Sequence, residues 1–205
     1  LAGTLGMVRH AADLGFQVRG DFGLGLYNSQ TMKELKRLEL LSATASFELK
    51  LPQIRDLSKA IPTEFIAYGR LPLMITENCI PATAQGCRSC NQSWALKDKT
   101  NRIFRIRTDS DCRTRILNSA EICLVEYVQE LAATGVLVLS IDARGRSPEY
   151  IRRMGSIYTR ALEGERVKDL KEEIREIASG GVTAAHYLRG VSEDIELPEK
   201  KSRKK

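Results

Sequence analysis

Hydrophobic positions along this chain keep two rhythms in alternation. Residues 8–14 have the three-and-four spacing of a helix closed by Gly15, and residues 16–22 read as a strand that ends in a Gly20-Asp21 step. Residues 31–38 return to helical spacing, with Asn28 or Ser29 placed to cap them. Residues 41–49 are strand-like and carry Glu48 at the far end. Residues 52–60 form a short helix whose first turn holds a proline. Two closely spaced apolar segments, 64–68 and 71–76, predict strands. The stretch 77–111 then loses periodicity, is polar and holds three of the five cysteines, which predicts a long functional or disordered loop with a hairpin or extended piece near 102–107. Helical spacing resumes over 121–133 and stops at Gly135. Residues 136–142 suit a fully buried parallel strand, 148–162 a strongly amphipathic helix and 167–178 a surface helix.

Strands alternating with helices, some of them apolar throughout, argue for a parallel α/β architecture. There are too few strands to close an eight-stranded barrel. The expectation is a partial parallel (β/α) barrel-like domain over residues 1–191, interrupted by a long cysteine-bearing loop at 77–112. A basic disordered tail at 192–205 follows. The opening residues, Leu1 to Gly6, lack an initiator Met and lead straight into a helix, so a piece of a longer protein is expected.

Composition narrows the class. A hydrophobic share of 42% and a charged share of 28% are those of an ordinary globular domain. No apolar run is long enough to cross a bilayer, so no membrane partner is expected, and with no secretion signal in view a cytoplasmic location is. The net charge of +6 is concentrated in Lys200, Lys201, Arg203, Lys204 and Lys205, so the folded part is close to neutral. Such a tail attracts phosphates weakly, or is simply solvated.

Cysteine carries the sharpest chemical signal. Four of the five lie as Cys79-x7-Cys87-x2-Cys90-x21-Cys112; Cys79, Cys87 and Cys90 lie among Asn, Gln, Gly, Ser and Arg rather than on an apolar stripe, whereas Cys123 sits between Ile122 and Leu124 as a small buried residue would. Four thiolates suit an iron–sulfur cluster, which accepts irregular spacing, or structural zinc, although zinc more often takes two tight pairs and only Cys87-x2-Cys90 is tight here. Disulfides are the third option and need an oxidising compartment. Asp21, Glu48 and Asp142 fall at strand C-termini, where barrel enzymes place polar groups. Each also has a plain role: Asp21 as a cap, Glu48 as the partner of Lys50 or Arg55. Arg144-Gly145-Arg146 is an anion-binding loop or a solvated one. The two histidines, His10 and His186, stand beside no nucleophile in sequence, and no hydrolase, phosphate-loop or dinucleotide motif is present.

Several ordered blocks resemble one family. Val18-Arg19-Gly20-Asp21-Phe22-Gly23-Leu24 with Tyr27-Asn28-Ser29, then Ser46-Phe47-Glu48-Leu49, then Tyr68-Gly69-Arg70-Leu71-Pro72-Leu73-Met74-Ile75-Thr76-Glu77-Asn78-Cys79, are similar to blocks of the collagenase-like peptidase family, peptidase family U32. Leu96-Lys97-Asp98, Cys112-Arg113, Ile116-Leu117-Asn118-Ser119 and His186-Tyr187-Leu188-Arg189-Gly190-Val191 extend the likeness over residues 6–191. The resemblance implies one of two activities. One is a peptidase acting on proteins; the other is an oxygen-independent hydroxylase of RNA bases or aromatic small molecules, with prephenate as oxygen source in some relatives. In the second case it implies a four-iron cluster on Cys79, Cys87, Cys90 and Cys112, with Asp21, Glu48 and Arg146 positioning a polar substrate. The Cys87-to-Cys112 stretch is shorter than in those relatives, which puts Cys90 most in doubt. A third reading is a non-catalytic binding subunit whose metal only holds the loop in place.

Overall fold

Local chemistry starts and stops the helices. Thr4 caps α1 (Leu5–Asp13) by accepting from the Met7 N–H, and Asn28 caps α2 (Ser29–Arg37) through the Gln30 and Thr31 N–H groups. Pro52 stands in the first turn of α3 (Leu51–Leu57), and Ser147 and Pro148 open α6 (Pro148–Leu162). In the computed structural model, which describes residues 1–87, 92–178 and 180–188, these helices join strands in a mixed α/β arrangement.

The larger sheet is built on β3 (Thr63–Gly69), every residue of which is buried. β1 (Arg19–Gly20) pairs in parallel with β2 (Ser42–Thr44), β2 with β3, and β3 with β9 (Val138–Asp142) in the register Glu64↔Val138 to Gly69↔Asp142. At its C-terminal end β3 also meets β8 (Glu121–Cys123) antiparallel, and β8 pairs with β10 (Val182–Thr183). Helices pack their apolar stripes on this sheet. On α6 the stripe is Met154, Ile157, Tyr158 and Ala161, and on α7 (Val167–Ile177) it is Leu170 and Ile174. Each fully buried Leu, Ile or Met of this core contributes roughly 1.5–3 kcal/mol. No closed barrel forms among the described residues.

The expected loop is the main correction. Within it lie α4 (Ile80–Gln85), β5 (Trp94–Lys97) and β6 (Ile103–Thr108), the last where the extended piece is expected; β5 and β6 join β4 (Pro72–Thr76), the strand expected at 71–76, and β7 (Thr114–Leu117) in an antiparallel sheet of order β4-β7-β6-β5. Short strands with only one face against protein alternate over four to six residues, too few for the period to stand out. The β5–β6 turn is set by side-chain chemistry. Asp98 Oδ1 accepts from the Thr100 and Arg102 N–H groups, and Asn101 takes φ 65°.

Four smaller differences concern element bounds and burial. The helix expected at 121–133 begins as β8 and becomes α5 only at Val128–Ala133, because Ile122 and Cys123 extend alongside β3 before the chain turns. The strand expected at 41–49 shortens to Ser42–Thr44, and that at 16–22 to Arg19–Gly20. β9 is half-buried rather than fully buried. The tail at 192–205 lies outside the described residues.

Candidate active site

A cavity of about 570 Å³ lies between the C-terminal ends of the parallel strands and one face of the antiparallel sheet. From below it receives Asp21 after β1, Gly69 and Arg70 at the end of β3, Glu121 at the start of β8, and Asp142, Arg144 and Arg146 from the end of β9. From above it receives Ile75 of β4, Arg105 and Arg107 of β6, and Arg115 and Leu117 of β7. Strand period explains that upper wall. Arg105 and Arg107 are two apart on β6, and the β6–β7 register sets Arg107 opposite Arg115.

Two glycines let the walls meet. Gly69 has φ +147°, and a Cβ there would lie 2.7 Å from the Asp142 Cβ, so β3 and β9 can approach only with glycine at this point. Gly145 turns with φ +73° under the Arg107 guanidinium and sends Arg144 and Arg146 back into the site.

Six guanidiniums thus face three carboxylates. Glu121 is wholly buried and is the hub. Its Oε1 accepts from Arg70 at 3.1 Å and from Arg146, and its Oε2 accepts from the Tyr68 hydroxyl and from Tyr150 Oη at 3.1 Å. The Tyr68 and Tyr150 oxygens are 2.8 Å apart, and Arg146 stacks over the Tyr150 ring at 4.8 Å. Burial, with the nearby Glu121 carboxylate, pushes both phenols above their ordinary range, so both stay protonated. Asp142 holds Arg144 through a two-point contact of 2.8 and 2.6 Å. Burial raises the Asp142 carboxyl, and the Arg144 guanidinium outweighs this and leaves it below the ordinary range.

The upper wall is less compensated. Directly opposed like charges at Arg107 and Arg115 are a destabilising cross-strand pair. Arg107 donates to the Arg144 carbonyl at 3.1 Å, Arg115 reaches Asp109 only at 3.9 Å, and Arg115 Nε is buried without a hydrogen-bond partner among the described residues. Arg105 has no carboxylate partner among them. Arg70 and Arg105 also line a second, more open cavity of about 870 Å³. That cavity adds Arg102, Asn101, Asn118, Ser119 and His186, and no Asp or Glu is among its lining residues.

The residues expected from sequence divide. Asp21 and Arg146 line the first cavity, and Asp21 also caps the short turn Phe22–Leu24 through the Phe22 N–H at 2.8 Å. Glu48 lies outside the cavity lining, half-buried, with Oε2 accepting from the Tyr27 hydroxyl at 2.8 Å. Cys79 precedes α4, Cys87 follows it, and Cys112 occupies the β6–β7 turn at φ 62°. The Ile80 N–H bonds Thr114 Oγ1 at 3.2 Å, which ties the Cys79 corner to the strand that begins beside Cys112. Cys90 lies outside the described residues, and among those described no three His, Cys, Asp or Glu gather closely enough to hold a metal ion. Cys123 is part of β8, half-buried, with its thiol pushed up by burial.

With this geometry, comparison with known proteins is informative. The model of Peptidase family U32 matches residues 4–196. The chain belongs to that family. This U32 chain is also 20% identical over 219 residues to a protein named "Collagenase" from Porphyromonas gingivalis (strain ATCC BAA-308 / W83). The match covers 92% of the U32 chain and 51% of the relative, so the chain spans about half of that protein's length. No solved structure matches it. No described helix is long and apolar enough to cross a membrane.

Proposed function

We propose that this U32 chain carries the substrate-recognising part of a modification enzyme whose substrate is anionic, in the first instance RNA hydroxylated without molecular oxygen. The observation that carries the reading is the cationic tract: six arginines against three carboxylates in the first cavity, continued through Arg70 and Arg105 into a second lined by Arg102 and His186. Guanidinium forks suit phosphate and carboxylate, and a long tract suits a chain of phosphates better than a single small anion. In this reading Arg105, Arg107 and Arg115 hold the backbone from above. Arg144, Arg146 and Asp21 orient the reacting group from below, while Tyr68 and Tyr150 supply neutral donors near Glu121. An aromatic acid in the first cavity alone is the smaller version of the same chemistry.

A second reading is protein hydrolysis, which the relative's name favours. Competition separates the two. A labelled single-stranded oligoribonucleotide bound to the full chain should be displaced by unlabelled RNA and not by an equal concentration of gelatin peptide. Displacement by peptide, with cleavage, would move the assignment to the peptidase.

The cofactor is a separate proposal. Cys79, Cys87, Cys90 and Cys112 are the candidate ligands of a four-iron cluster, with zinc as the alternative, and a cluster would supply redox chemistry. No group of three His, Cys, Asp or Glu side chains gathers among the described residues, and no step is routed through the cluster. Iron, sulfide and zinc analysis of anaerobically purified full-length protein tests it, and absence of all three would remove it.

A further inference from the structure

Glu121 stands out from the other acids of the cavity. Its side chain is 0% exposed and it contacts two guanidiniums, those of Arg70 at 8% and Arg146 at 21% side-chain exposure. Two phenols fill the other oxygen's acceptor positions. A carboxylate this buried is costly unless every lone pair is used, and here four donors use them. Three separate parts of the fold meet at it: β3 through Tyr68 and Arg70, the turn after β9 through Arg146, and α6 through Tyr150. Arg70 borders both cavities and Arg146 the first, so the groups that Glu121 fixes are those at the junction of the tract.

The geometry points to Glu121 as the positioning residue of the anion tract: by binding Arg70 and Arg146 at one oxygen it holds Arg70 at the junction of the two cavities and fixes the direction in which the Arg146 guanidinium meets the ligand. This rests on the reading of the tract as an anion site. The inference has a distinctive sign. Glu121→Gln removes one negative charge from the cavity, so if Glu121 acted only through net charge an anion would bind more tightly. A positioning role requires weaker binding, because a neutral amide oxygen holds the two guanidiniums less firmly than a carboxylate oxygen does, and the amide N–H groups now face the two phenols that had donated to Oε2.

The test measures binding of a fluorescein-labelled single-stranded oligoribonucleotide to the full chain by anisotropy, at a temperature where thermal melts show each variant folded. Glu121→Gln should weaken binding by roughly tenfold, and unchanged or tighter binding overturns the inference. Arg146→Lys keeps the charge, loses the fork and leaves Glu121 in place, so it covers the case in which Glu121→Gln does not fold. It should also weaken binding by at least roughly fivefold, and equal affinity overturns the inference. Arg105→Ala reports on the underlying reading. If it leaves binding unchanged, the tract is not where the probe sits and both ideas fall. If it weakens binding while Glu121→Gln does not, only the positioning role falls.

Discussion

Gly69→Ala is the substitution whose outcome the structure fixes most tightly. A Cβ at this position would stand 2.7 Å from the Asp142 Cβ, 2.9 Å from its carbonyl oxygen and 3.3 Å from its Cα, all on a strand in register with β3. None of these is the free end of a flexible side chain, so β9 must move. The backbone φ of +147° adds a second cost, since an L side chain rarely adopts it. Conformational strain of about 1–2 kcal/mol and overpacking of about 1–3 kcal/mol give a loss near 3 kcal/mol. For a chain of this size that lowers Tm by roughly 6–12 °C. Urea unfolding followed by circular dichroism measures it. The matched control is Gly155→Ala on α6, where no atom lies within 4 Å and φ is helical, so the same methyl should stabilise by about 0.5–1 kcal/mol. Gly69→Ala within about 0.5 kcal/mol of the parent would refute the close β3–β9 contact on which the cavity floor depends.

Other expectations follow from the site. The Asp142 carboxyl is depressed by Arg144, so its contribution to stability is present above the ordinary carboxyl pKa and is lost as pH falls through the lower folded value. Asp142→Asn should therefore flatten the acid side of the stability profile below about pH 4, and an identical profile would contradict the pairing. Cys112 is exposed, and Cys123 is half-buried in β8 with a raised thiol, so a thiol reagent should label Cys112 faster in the native metal-free protein and Cys123 mainly after unfolding. Protection of Cys112 in iron-loaded protein would support its role as a ligand, and unchanged labelling would count against it.

The parts legible in the sequence were those where local chemistry decides the outcome. α6 falls on the residues its periodicity marks, 148–162, because the Ser147 cap, Pro148 and the stripe through Met154, Ile157 and Ala161 agree. The end of β9, with Asp142 and the Arg144-Gly145-Arg146 turn, was visible for the same reason. Of the antiparallel sheet, β4 and β6 fall where a strand at 71–76 and an extended piece near 102–107 are expected, but β5, β7 and the pairing of the four were hidden because these strands are short and present arginine where a surface strand would present any polar residue. Arg105 and Arg107 did carry a signal, their period-two placement within Ile103–Thr108. Glu121 carried none: its hub is assembled from β3, β8, α6 and the turn after β9, and tertiary contact alone makes it. Glu48 shows the converse, a strand-end acid by pattern that pairs with Tyr27 at the surface.

The measurement that bears most directly on the central claim is the salt dependence of oligoribonucleotide binding to the full chain and to its Arg105→Ala/Arg107→Ala variant. The basic tail is the same in both, so the difference isolates the cavity wall. With both arginines on phosphates, the slope of log affinity against log salt should become shallower by about 1.4, at roughly 0.7 per single-strand phosphate contact, and affinity at low salt should drop. Equal slopes and equal affinities would place the RNA elsewhere and contradict the assignment of the arginine-lined cavity as its site.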